Sequence, residues 1–241
     1  MGYIVTNMYL TYKNIGETPL ECLERVRLEY GKAPEVPMTY AGRLDPMAEG
    51  LLIILVGEDC KNKEKYLKMD KEYEVEILFG VCTDSYDTLG LITKTDKVSF
   101  DSIDFQKYKG KFTQEYPRYS SKIIAMLDSG KDLPEEMPTK EVEIYAIEQI
   151  GSSALSGQKI AQNVIENIKN VTGEFRQKEI VDKWQQFAQE NDKTRFIILK
   201  IKISCSSGTY MRSLANRIGI DAGIPALALS IKRIRINGYK I

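Results

Sequence analysis

Tyr40-Ala41-Gly42-Arg43-Leu44-Asp45-Pro46-Met47-Ala48-Glu49-Gly50-Leu51-Leu52-Ile53-Ile54-Leu55-Val56 is the stretch on which the reading of this chain turns. Leu51–Val56 is wholly apolar and is flanked by Gly50 and Gly57. A short apolar run without alternation predicts a central strand buried on both faces. Asp45 stands just upstream, before a proline. Asp-Pro often caps a helix. A helix here, however, would last about one turn before Gly50 and the strand. Asp45 is therefore read as a loop carboxylate leading into the core, a candidate nucleophile or base.

Upstream, Tyr3–Tyr12 is rich in β-branched and aromatic residues and predicts a strand. Thr18-Pro19-Leu20-Glu21 combines an N-cap, a proline at the first helical position and a capping box. The helix it opens should bury Leu20, Leu23 and Val26 and end at Gly31. Downstream, Glu58–Lys68 reads as helix. Tyr73, Val75, Ile77 and Phe79 alternate with Glu72, Glu74 and Glu76 as a half-buried strand. Thr83–Gly90 reads as a polar loop, Leu91–Thr95 as strand, Ser102–Tyr108 as helix and Pro117–Lys122 as loop. Glu141–Ile150 and Phe196–Ser204 alternate as strands. Between them, Leu155–Val171 and Phe175–Gln189 form two amphipathic helices. Their apolar faces are Ile160, Val164, Ile168 and Ile180, Trp184, Phe187. A helix over Thr209–Ile218 and a basic strand over Ile231–Ile236 close the pattern. Strands and helices mix without a βαβ rhythm or an internal repeat, which predicts an α+β class.

Composition narrows the chemistry. The 241 residues are 43% hydrophobic and 28% charged, ordinary for a globular chain. No histidine is present, so Ser-His-Asp and Cys-His machinery and histidine metal sites are excluded within the chain. Cys22, Cys60, Cys82 and Cys205 are scattered and form no CxxC pair; they read as free thiols of a reducing, cytoplasmic compartment. The N-terminus does not read as a signal peptide, and no apolar run is long enough to span a bilayer. Net charge is zero but uneven. Residues 193–241 hold ten Lys/Arg and one acid, and residues 1–192 hold 24 bases and 33 acids. Either one face is built for a polyanion, or the charge is an unevenly solvated surface.

Two further segments carry candidate chemistry. Ser204-Cys205-Ser206-Ser207-Gly208-Thr209-Tyr210-Met211-Arg212 runs from strand through a small polar turn into a helix. Free N–H groups at that helix start favour an anion, and Arg212 can face a carboxylate or a phosphate. The plain alternative is a serine-rich cap with a surface arginine. Asp70-Lys71-Glu72-Tyr73 is uninformative alone, since a strand tyrosine is most often core.

Taken together and in order, these segments resemble the TruB-type pseudouridine synthases. Tyr40–Leu52 resembles the family's signature loop. Lys13-Asn14-Ile15-Gly16-Glu17-Thr18 is similar to its Lys-Pro-x-Gly-x-Thr, with Asn14 for proline. Asp70-Lys71-Glu72-Tyr73 resembles its Asp-Lys-x-Tyr, and Pro117–Lys122 its Pro-Pro-x-Tyr-Ser-Ala-x-Lys. Cys205–Arg212 resembles its Cys-Ser-x-Gly-Thr-Tyr-Ile-Arg, and Ile231-Lys232-Arg233 its Leu-Arg-Arg. The resemblance implies the pseudouridine synthase fold over 1–241, a central mixed or antiparallel sheet flanked by helices. It implies Asp45 as catalytic aspartate, Tyr73 stacking on the target base, Arg212 paired with the aspartate, and Tyr210 and Ile231 lining the uracil pocket. Tyr40 replaces the family's histidine that inserts into RNA. Residues 151–194 exceed the usual connection, and the C-terminal PUA domain of many members has no counterpart.

The implied reaction needs no cofactor and no metal. It detaches uracil from C1′, rotates it and rejoins it through C5, which calls for an ionised carboxylate in a site that excludes water. The resemblance leaves open whether that carboxylate attacks the sugar, attacks the base or takes a sugar proton. The expected partner is RNA, the T arm of tRNA by family default, bound by a monomer. The rival expectation is a non-catalytic RNA-binding or RNA-folding protein on the same fold. The helical pair at 151–194 is expected to grip RNA in place of the missing domain.

Overall fold

The computed structural model describes residues 7–98, 102–120, 123–124, 132, 134 and 136–240. Residues 3–6 of the first expected strand, and Ser121 and Lys122, lie outside these. The class is α+β, as expected. A nine-stranded sheet carries the chain, with path β1–β3–β10–β4–β9–β8–β7, while β2 adds to β3 and β11 to β10. The strands are β1 (Met8–Lys13), β2 (Met38–Ala41), β3 (Ala48–Val56), β4 (Lys71–Phe79), β7 (Gly110–Glu115), β8 (Thr139–Ser156), β9 (Arg195–Cys205), β10 (Ala226–Ile236) and β11 (Tyr239–Lys240). A separate two-stranded ribbon joins β5 (Val81–Thr83) to β6 (Ile92–Thr95). Among the described residues the named strands pair antiparallel except β10 and β3, where Ile231 lies opposite Ala48 and Arg233 opposite Gly50.

The unbroken apolar run of β3 has a simple cause. Leu52 and Ile54 pack on Cys22, Leu23 and Val26 of helix α1 (Pro19–Glu29). Leu51, Ile53 and Leu55 face the other way, onto Ala41 and Ile236. With both faces covered, no polar residue fits. The capping box of α1 forms as expected, Thr18 and Glu21 each bonding the other's backbone N–H. The expected stripe needs one correction: Leu20 is 58% exposed, and Cys22 takes its place in the core. Leu20 is the second helical residue, on the outer side of the first turn.

β4 has a sharper division of faces than simple half-burial. Tyr73, Val75, Ile77 and Phe79 enter the main core, where helix α5 (Met211–Ala222) adds Met211, Leu214, Ala215 and Ile218. On the opposite face Glu72 pairs with Lys202 at 2.7 Å and Glu74 with Lys200 at 2.6 Å. Leu78 faces that side too, in a second apolar cluster with Phe196, Ile198 and Leu227. The two helices between β8 and β9 cover that cluster. They are α3 (Gly157–Ile168) and α4 (Gln177–Glu190), and all six residues expected on their apolar faces are buried there.

Two local expectations are corrected and a third is sharpened. Glu58–Lys68 splits into a 3₁₀ segment, Gly57–Asn62, and a single helical turn, α2 (Lys63–Leu67). Phe105–Tyr108 is 3₁₀ rather than a longer helix. The polar loop at 83–90 is not a surface loop: Thr83, Ser85, Asp87 and Thr88 are all 5% exposed or less.

Candidate active site

Several chain segments, among them the Asp45 turn, β4, the turn that opens the Met211–Ala222 helix and β10, converge on one cleft. Asp45 stands on the turn before β3, which is a single turn closed by Ala48 N–H donating to the Asp45 carbonyl at 3.0 Å. Two buried cations fix this turn by its backbone. Lys13, at the end of β1, donates Nζ to the carbonyls of Ala48 (2.6 Å), Asn14 (2.9 Å) and Pro46 (3.4 Å). Arg233, on β10, donates Nε to Leu51 (2.7 Å), Nη1 to Arg43 (3.2 Å) and Nη2 to Gly42 (3.4 Å). The N–H of Gly16 adds a bond to the Pro46 carbonyl at 2.8 Å. A carboxylate on a loop needs such support, because a misplacement of about 1 Å can cost a reaction about 100-fold.

Arg212 is the second residue of α5 and is 3% exposed, so the surface-arginine alternative is wrong. Its Nε lies 2.8 Å from Asp45 Oδ2 and 3.5 Å from Asp87 Oδ2. The Nε–H is not aimed along either line, so these are close ion pairs rather than well-aligned hydrogen bonds. Nη1 donates to the Ser85 carbonyl at 3.0 Å. Burial opposes the guanidinium charge, but the two aspartates outweigh it and raise the group above its ordinary value. Asp87 shifts up because of burial, against the pull of Arg212. Its Oδ1 accepts from Ser85 Oγ (2.6 Å) and Leu89 N–H (3.0 Å). The sequence reading missed Asp87 altogether. The signal was there in Asp84-Ser85-Tyr86-Asp87, two acids in a short polar run, but nothing local distinguishes it from a solvated turn.

The cleft itself has a volume of about 670 Å³. Asp45, Tyr73, Tyr210 and Ile231 all line it. Tyr73 is buried at β4, and burial raises its phenol against the opposing influence of Arg233. Tyr210 is clamped by Gln114, whose side chain accepts from the Tyr210 N–H (2.8 Å) and donates to its carbonyl (3.1 Å). Burial, then Asp45, pushes the Tyr210 phenol up to about 12. The turn Ser207–Tyr210 that opens α5 forms another wall. Arg43, Lys68, Lys71, Lys140 and Arg233 line the cleft against Asp45 and Glu64, so its walls are net cationic.

Of the expected site residues, Arg212 lies behind Asp45 and Tyr40 lies outside the cleft lining. Tyr40 packs on the α1 cluster, with Lys63 Nζ 5.2 Å and Arg43 6.0 Å from its ring centre. Part of the C-terminal basic excess is paired within the chain. Lys200, Lys202, Arg212, Arg217 and Arg235 are spent on internal ion pairs, and Arg233 on carbonyls. Cys205 is fully buried, and burial drives its thiol up to about 12, which removes it as a nucleophile.

The family profile described as TruB family pseudouridylate synthase (N terminal domain) matches residues 35–164. The chain belongs to the TruB family. It is thus an RNA pseudouridine synthase, an isomerase. Relatives agree along the whole chain. It is 26% identical to the tRNA pseudouridine synthase B of Borreliella afzelii and 28% identical to that of Lactobacillus johnsonii. Each alignment covers 100% of this chain and 71% and 70% of the relative, respectively. Among solved structures, a Cbf5-Nop10-Gar1 complex matches with a TM-score of 0.58 at 15% identity, over 98% of this chain and 50% of that one. That likeness places the sheet and its helices in the pseudouridine synthase fold.

Proposed function

We propose that this protein isomerises a uridine of tRNA, the T-loop uridine, to pseudouridine, acting as a monomer. The observation that carries the reading is the convergence of Asp45, Tyr73, Tyr210 and Ile231 on one cationic cleft, with Arg212 buried 2.8 Å behind Asp45. The names of the relatives supply the tRNA. The target nucleotide leaves its stack, at a cost of a few kcal/mol, and enters the cleft. Tyr73 offers its ring to the uracil, and Ile231 an apolar wall. Asp45 supplies the carboxylate nucleophile, and Arg212 orients it. The N1–C1′ bond breaks, the base turns, and a C5–C1′ bond forms; N1 gains a proton and C5 releases one to solvent. Atoms and electrons balance without a co-reactant. Cleft lysines and Arg43 meet phosphates, so binding weakens with salt.

Tritium release from uracil-5-³H tRNA transcripts tests this directly. Wild type should release label and Asp45→Asn should not, with tRNA binding retained. Salt-sensitive binding without release from wild type on any transcript would instead favour the non-catalytic RNA-binding protein.

A further inference from the structure

Residues 151–194 carry six basic and six acidic side chains, a net charge of zero. What distinguishes the insertion is where its far end touches. Its root is closed at the sheet by Gly157 N–H donating to the Thr194 carbonyl at 3.0 Å. The tip is the turn between α3 and α4. There Asn170 packs so tightly on Gly16 that a Cβ at Gly16 would lie 2.6 Å from the Asn170 carbonyl oxygen. Next to it, Thr172 Oγ1 bonds Glu21 of the α1 capping box. Gly16 in turn holds Pro46, the residue after Asp45.

The same tip reaches a second place. Arg176 Nη1 pairs with Asp84 Oδ2 at 2.9 Å, and its guanidinium lies 4.6 Å from the centre of the Tyr119 ring. Tyr119 Oη donates to the same Asp84 oxygen at 3.3 Å. About two turns along α4, Trp184 donates Nε1 to the Thr88 carbonyl at 3.3 Å. Asp84 and Thr88 bracket Ser85 and Asp87, which contact Arg212 alongside Asp45. Within this bracket Tyr86 has φ 63°, and Arg176 itself has φ 60°. Left-handed backbone at bulky residues persists only where the surroundings hold it. Met47, Leu89 and Ile15 pack in the insertion's own apolar cluster.

We propose that the inserted helical pair is a brace. Its turn, through Thr172 and Arg176, ties the loop carrying Asp45 to the loop that seats Arg212, and so sets the geometry of the pair. The brace rests on the function proposed above. Thr172 and Arg176 are positioning residues and touch no substrate.

The test is Thr172→Val/Arg176→Ala, read three ways. Single-turnover tritium release should fall about tenfold, with the dissociation constant for tRNA unchanged, and Arg176→Lys should restore most of the rate. Hydrogen exchange of the Ala48 and Leu89 amides should rise about tenfold, with β4 amides unaffected. Unchanged rate and unchanged exchange would overturn the brace. So would weaker tRNA binding at an unchanged single-turnover rate, which would make the insertion an RNA grip. A wild type that releases no tritium overturns the proposed function instead, and the exchange result then decides the brace alone.

Discussion

Arg212→Met removes the cation shared by Asp45 and Asp87, and its cost follows from the geometry. At an effective dielectric of about 20, contacts of 2.8 and 3.5 Å correspond to attractions of about 6 and about 5 kcal/mol. Most of that offsets the desolvation of three charged groups. Breaking such a buried set by deleting one member costs about 3–5 kcal/mol, because the remaining charges stay buried without their partner. The loss depends on pH. Burial already raises the Asp87 carboxyl against Arg212. Without Arg212 it rises further, so the folded state binds more protons than the unfolded state from its ordinary value of 3.8 upwards. Stability of the variant therefore falls as pH rises through that window. Urea unfolding should show a larger penalty at pH 8 than at pH 5, and Asp87→Asn in the same chain should recover much of it. Catalysis should not recover: the rate of tritium release should drop about 100-fold or more, with tRNA affinity intact, because Asp45 loses its fixed orientation. A penalty equal at both pH values, or larger at pH 5, would refute the argument.

Gly50→Ala should prevent folding or cost at least about 3 kcal/mol, measured by urea unfolding, because φ is 114° and a Cβ would run into the Arg233 backbone across the parallel pair. Arg233→Met strips three carbonyls of the Asp45 loop of their charged donor; it should lower stability by about 3 kcal/mol and also reduce the single-turnover rate. Lys13 is lowered from 10.5 to about 8 by burial, so between these values the unfolded chain binds the extra proton and stability rises with pH. Lys13→Met should flatten the rise of unfolding free energy between pH 8 and 10, by up to about 1.4 kcal/mol per pH unit.

Local signals made the elements legible. The capping box of α1 fixes a helix start within four residues, and a run apolar on both faces fixes β3 as central. The spacing of Ile160, Val164 and Ile168 fixes α3 as a helix with one buried side. Asp45, Tyr73, Tyr210 and Ile231 were named from ordered motif agreement, and the fold brings them to one cleft. Asp87 and Ser85, which contact Arg212, lay unread, because the arginine they meet enters the chain more than 100 residues later.

Sequence by itself thus determined the class and most element types, because these follow from backbone propensity and periodicity close along the chain, while the candidate site residues came from the resemblance of ordered motifs to a family. Only the tertiary structure decided which charges meet. It paired Lys200 and Lys202 with acids of β4 and Arg217 with Asp221 of α5, and gathered Arg43, Lys68, Lys71, Lys140 and Arg233 around the cleft. It packed Tyr40 on the α1 cluster and set the turn between α3 and α4 against Gly16 and Asp84. The physical reason is range: hydrogen bonds and apolar faces pattern the chain locally, whereas a charge finds its partner wherever the strand order brings one within a few ångströms.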